Sequence, residues 1–197
     1  TKKIGLAVAV VLASFSVAAL AEGSNFYGAI DVGQAKANDA CNVIPAGMSC
    51  KDTDTAVRGS LGYQVNPSLG VEVSYADYGA AKASGTVAGT PVSLKIAATG
   101  WQVSAVGSLP VAESFALTGK LGAAFTKVEA SGTALGITVA LGSANTTTLA
   151  YGIGARYNIS KSIALRAQYE DIGKVGDDAT TGKSRVTLFT VGATFGF

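Results

Sequence analysis

The sequence predicts an all-β fold: an eight-stranded antiparallel up-and-down transmembrane β-barrel, preceded by a signal peptide. Three observations carry this. The chain closes on a two-residue alternation, with Phe189, Val191, Ala193, Phe195 and Phe197 set against Thr190, Gly192, Thr194 and Gly196. One face of that strand meets something oily and the other tolerates polar groups. Charged residues are 14% of the chain, against roughly 25% in soluble domains, yet after Ala21 no apolar run is long enough for a membrane helix. A chain that lives in lipid without oily helices satisfies its backbone in a closed barrel. Finally, tight turns alternate with long connections along the whole chain.

The N-terminus comes first. Lys2 and Lys3 precede an apolar run from Ile4 to Val11, broken only by Gly5, that continues through Leu12, Phe15 and Val17 to Ala19-Leu20-Ala21. Small residues at 19 and 21 are what a signal peptidase reads, so residues 1–21 are expected to leave by cleavage before Glu22. A retained membrane helix fits less well, because Ser14 and Ser16 interrupt the run and no basic stop-transfer cluster follows. Residues 22–197 then form one barrel domain. Losing Lys2 and Lys3 leaves 13 basic residues against 13 acidic ones. No basic field for nucleic acid remains.

Eight strands are expected in order. The first runs over 25–34, with Phe26, Gly28, Ile30 and Val32 on one face and Tyr27, Ala29, Asp31 and Gly33 on the other. The second, 55–65, sets Val57, Leu61, Tyr63 and Val65 against Arg58, Ser60 and Gln64; the third, 69–78, sets Leu69, Val71, Val73 and Tyr75 against Glu72 and Ser74. The fourth, 94–109, opposes Trp101 and Val103 to Gln102 and Ser104. In the fifth, 115–126, Phe115, Leu117, Leu121 and Phe125 oppose Thr118, Lys120 and Thr126. The sixth, 146–158, carries Leu149, Tyr151, Ile153 and Tyr157 against Gly152, Gly154 and Arg156. The seventh, 163–172, carries Ile163, Leu165 and Tyr169 against Arg166, Gln168 and Glu170, and the eighth is 184–197.

Turns at 66–68, 110–114 and 158–162 are short; connections at 35–54, 79–93, 127–145 and 173–183 are long. That asymmetry suits a barrel with periplasmic turns and external loops. Aromatics sit near strand ends, as interface girdles do: Phe26, Tyr63, Tyr75, Trp101, Phe115, Tyr157, Tyr169, Phe195 and Phe197. A soluble lipid-binding barrel would reverse the polarity and turn its charges outward. The 25 glycines recur inside strands, where they relieve crowding in a narrow barrel. Cys41 and Cys50 are the only cysteines. A signal peptide implies an oxidising compartment, so a disulfide is expected; a zinc pair would lack further ligands in a chain without His.

The segments Phe26-Tyr-Gly-Ala-Ile-Asp-Val-Gly33 and Leu165-Arg-Ala-Gln-Tyr-Glu-Asp-Ile-Gly173 are the best local matches to a known family. With them the whole mature chain resembles the eight-stranded transmembrane domain of the outer-membrane protein A superfamily. The resemblance implies the cell outer membrane, outer-membrane lipids as solvent, and recognition of the aromatic Phe197 at the end of the last strand by the barrel-assembly machinery. No peptidoglycan-binding domain follows the last strand, so no cell-wall tether is expected. It also implies a polar, plugged core.

The residue phasing gives that core its members: Asp31, Arg58, Glu72, Lys120, Arg156, Arg166 and Glu170 all point to the lumen. Lone charges in a narrow interior must pair, so three acids and four bases predict a salt-bridge network, with Glu72, Lys120, Arg156 and Glu170 near its centre. The same residues would gate an ion path if the lumen conducted, the alternative being a narrow porin-like channel for ions or small solutes. No catalytic, cofactor-binding or metal residues are expected. Without His the usual general base is missing, and Asp171, Asp177 and Asp178 sit at a strand end and in a loop. The expectation is therefore a structural barrel whose external loops are available to a host or surface ligand.

Overall fold

The computed structural model describes residues 25–38, 40–41, 48–87 and 89–196; the segment 1–21 and Phe197 lie outside them. Nine strands follow one another: β1 (Phe26–Ala37), β2 (Ser49–Lys51), β3 (Thr53–Asn66), β4 (Leu69–Val87), β5 (Thr90–Pro110), β6 (Phe115–Ala134), β7 (Ile137–Asn158), β8 (Ile163–Asp177) and β9 (Gly182–Gly196). Each pairs antiparallel with its neighbour, and β1 pairs with β9 from Tyr27↔Gly196 to Ala37↔Val186. The sheet therefore closes on itself. The ninth strand does not add a stave. β2 resumes the line of β3 beyond Asp52, pairing on β4 from Lys51↔Lys82 to Ser49↔Ser84. Eight staves close the ring, as the alternation predicts.

The outward face is apolar because every second residue of each stave is: Ile30, Leu61, Val73, Trp101, Leu121, Ile153, Tyr169 and Val191 are all exposed. On β6 this face runs from Phe115 to Phe125 before Lys127 interrupts it. Ten residue steps of about 3.4 Å, tilted by about 40°, span about 25 Å, the height of a hydrocarbon band. Ring pairs mark its two borders, Phe26–Tyr63 with centroids 4.8 Å apart and Tyr75–Trp101 at 4.9 Å.

Three connections differ from expectation. Residues 79–93, 173–183 and 127–145 are mostly strand: β4 and β5 pair as far as Val87↔Thr90, β8 and β9 as far as Asp177↔Gly182, and β6 and β7 as far as Ala134↔Ile137. Leu135 and Gly136 alone join the latter pair, with φ of 52° and 79°. Positive φ at both positions is the twist a two-residue hairpin needs. These overhangs leave the oily band, so lipid no longer demands a greasy face, and their Ala, Ser, Thr and Lys content reads as loop. Cys41 is bonded to Cys50 on β2, with Cα atoms 5.8 Å apart.

Candidate functional site: a layered lumen

The inward face is where the charges go. In mid-barrel, Asp31 of β1 faces Arg58 of β3 across one rung and, across Gly192 on β9, Arg166 of β8. Arg166 clasps Asp31 with two nitrogens, Nε to Oδ1 at 2.7 Å and Nη2 to Oδ2 at 2.6 Å, and donates Nη1 to Glu72 Oε2 at 2.6 Å. Arg58 donates Nε to Asp31 Oδ2 at 3.0 Å and its other nitrogens to Glu170, Gln168 and Thr190. Lys120 of β6 lies 2.7 Å from Glu72 Oε1 and 3.5 Å from Glu170 Oε1. Gln102, Ser60 and Tyr27 complete the shell, Gln102 Nε2 on Glu170 Oε2 at 3.1 Å, Arg166 Nη2 on Ser60 Oγ at 3.1 Å and Tyr27 Oη on Glu72 Oε2 at 3.2 Å.

The six charged residues of this layer are all at most 8% exposed. Three carboxylates thus meet three cations with little of their surface exposed, and pairing is the condition under which buried charge is tolerated. Glycine makes room for the crossing: a methyl group at Gly192 would overlap the Asp31 carboxylate and the Ile30 carbonyl. Gly152, between Lys120 and Glu170 in the ladder, clears Glu170 in the same way.

Arg156 does not join. It was expected near the centre, but it sits on the rung opposite Arg166, toward the turn end of the barrel. There it is only half-buried, makes no ion pair among the described residues, and its Nε has no hydrogen-bond partner. With three acids already shared among three bases, the fourth base stays where solvent reaches it. It lies near Tyr27, Gln64, Ser108 and Thr118 around a void of about 30 Å³.

Above the ions, toward the overhangs, the lumen turns apolar. Tyr78, Val128, Ile172, Val175, Val186 and Leu188 pack there with Ala35, Ala56, Ala76, Ala124 and Ala150. The charge inventory did not foresee this layer. The signal was a loss of alternation: Ile172 keeps the inward phase of Arg166 and Glu170, and Val128 that of Lys120 and Thr126. Against it a cavity of about 410 Å³ opens at the mouth, lined by six alanines, by Tyr78, Ile96, Val128 and Val186, and by polar residues that include Asp52, Asp54, Asp178 and Lys183. Among the described residues there is no cluster of His, Cys, Asp or Glu able to hold a metal.

Comparisons with known proteins follow this geometry. The model of the OmpA-like transmembrane domain family matches residues 21–197. Outer membrane protein A of Yersinia pseudotuberculosis is 26% identical over the full chain, which spans 56% of that relative's length. Neisserial surface protein A superposes with a TM-score of 0.51 at 22% identity, covering 89% of this chain and all of that one. The outer membrane protein OprG of Pseudomonas aeruginosa gives 0.52 at 13% identity, covering 87% and 96%. These likenesses share a barrel architecture and place the protein in the cell outer membrane: the chain belongs to the family of OmpA-like transmembrane domains.

Proposed function

We propose that the protein is a structural and surface-presenting barrel of the outer membrane whose lumen is closed to ions and solutes. One observation carries the reading: the ionic layer pairs three acids with three bases within 3.5 Å across the full width of the lumen. The apolar layer stacked on it adds a second barrier to a hydrated ion. An eight-stranded barrel is just wide enough for side chains to fill, which supports this reading. The reading includes removal of residues 1–21 on export and use of Phe197 in assembly. It assigns no catalytic role, since the chain has no His to serve as a general base. Partners are outer-membrane lipids around the apolar band and a surface ligand at the external end.

The test is single-channel recording on refolded residues 22–197. Silence is the expected result. Steady conductance that changes in Glu72→Ala or Arg156→Ala would overturn the closed lumen and make the protein a narrow channel.

A further inference from the structure

We propose that Arg156 and Ser108 form a binding site for one small monovalent anion, a halide, in the lumen on the turn side of the ionic layer. The inference goes beyond the closed-lumen reading and does not depend on it, because an ion held here fills the site whether or not the layer beside it conducts.

Charge comes first. Asp31, Glu72 and Glu170 are shared among Arg58, Lys120 and Arg166. Arg156 turns inward as a fourth base and makes no ion pair among the described residues. The ion network thus leaves a surplus of one positive charge, and a cation in a narrow lumen calls for a counter-ion. One monovalent anion cancels it; a divalent one would overshoot.

Two unsatisfied atoms mark the place. Arg156 Nε and Ser108 Oγ are both buried, and neither has a hydrogen-bond partner among the described residues. Ser108 as a whole is 8% exposed. The two side chains come from different staves, β7 and β5, yet border the same void of about 30 Å³. A void needs at least about 10–15 Å³ to admit a water molecule, so this one takes a guest of that order of size. Chloride or bromide suits it, and a phosphate is cramped.

The surroundings favour an anion. Apart from Val106, every residue around the void has a polar side chain. Glu72 is the one acid among them, and its charge is already met by Lys120 at 2.7 Å and Arg166 at 2.6 Å, with the Tyr27 hydroxyl donating at 3.2 Å. Arg156 supplies a charged donor, and the Ser108 hydroxyl can turn its hydrogen toward the ion. A way in exists as well. Tyr27, Gln64, Arg156 and Thr194 also line the open turn-end mouth, a hollow of about 560 Å³. Glu113 and Lys161 stand there with opposite signs, so between them they add no net charge.

The probe is sodium chloride, titrated against sodium gluconate at constant ionic strength into isotope-labelled protein in lipid nanodiscs. Gluconate is too large for the void. NMR follows the Arg156 Nε–H and the Ser108 amide. Saturable shifts of both are expected, with sodium bromide giving the same pattern. Ser108→Ala should weaken binding about tenfold or more. Arg156→Gln should abolish the saturable shift at the Ser108 amide. Heat-modifiable gel migration checks that each variant folds, and if Arg156→Gln does not, Ser108→Ala alone decides. Two results would overturn the site. One is shifts that stay linear in chloride, the mark of a void filled by water alone. The other is saturation with the same affinity in either variant.

Discussion

Asp31→Asn tests whether the ionic layer is a single interlocked unit. The substitution keeps the shape and removes one charge. Asp31 receives Arg58 Nε at 3.0 Å and Arg166 Nε and Nη2 at 2.7 and 2.6 Å. An asparagine oxygen can serve one guanidinium, but its NH2 group then faces the other. The layer is left with two acids against three bases at a site that is 1% exposed. Each charge-assisted bond is worth about 1.5–3 kcal/mol, and stripping one partner from a buried pair costs about 3–5 kcal/mol. We expect a loss of about 3–5 kcal/mol. Trp101 is the sole tryptophan and faces lipid, so its fluorescence during urea unfolding from vesicles reads the change directly. Adding Arg58→Gln restores two acids against two bases. The double variant should then lose less than the sum of the singles, by at least about 1 kcal/mol. A single-variant loss under about 1 kcal/mol, with additive doubles, would refute the argument and mean that water already screens these charges.

Other outcomes follow from the same geometry. Gly192→Ala forces a methyl group against Ile30 and Asp31 at the closing seam and should cost about 1–3 kcal/mol, visible as a lower urea midpoint and a lower temperature for the heat-modified gel band. Reducing the Cys41–Cys50 bond opens a loop of separation 9, and chain-entropy arguments put its contribution at about 2–3 kcal/mol; faster proteolysis between residues 38 and 48 would register it. Asp54, outside the oily band, feels burial that raises its pKa, but the amide donors of Ala80 and Thr55 and the Lys82 ammonium outweigh it, so its carboxyl titrates below the usual range. Its support of the β3–β4 overhang is therefore full at neutral pH and lost as pH falls through that lowered value. The Ala80 amide, 3.1 Å from the Asp54 carboxylate, should report the transition in an NMR titration.

The barrel itself was legible because lipid enforces a pattern. Outward positions such as Leu121, Ile153 and Val191 must be greasy, so a period of two marks them and fixes the phase of Asp31, Arg58, Glu72 and Glu170 as well. The rest was hidden for a matching reason. Beyond the oily band nothing compels alternation, so Ala80–Val87 and Ile137–Asn145 pair as strand while their composition resembles loop. Phase alone gives direction and not depth. It therefore turned Arg156 inward but could not say that, on the same rung as Arg166, it would be left without a carboxylate. Nor did counting ions disclose Ile172 and Leu188, whose inward turn is a departure from the pattern the charges set up.

The overhangs also alter what the exterior can recognise. From Lys127 to the Leu135–Gly136 tip, β6 climbs eight residues, about 27 Å along the strand, hydrogen-bonded to β7 almost throughout. With β5 paired along its other edge from Lys127 to Ala134, this tip is held stiffly beyond the apolar band. A partner that docks on it meets a pre-ordered shape and forgoes the entropy loss of freezing a loose segment. Contact there would be quick to form, because the height of the tip is set by main-chain pairing and hardly at all by its side chains.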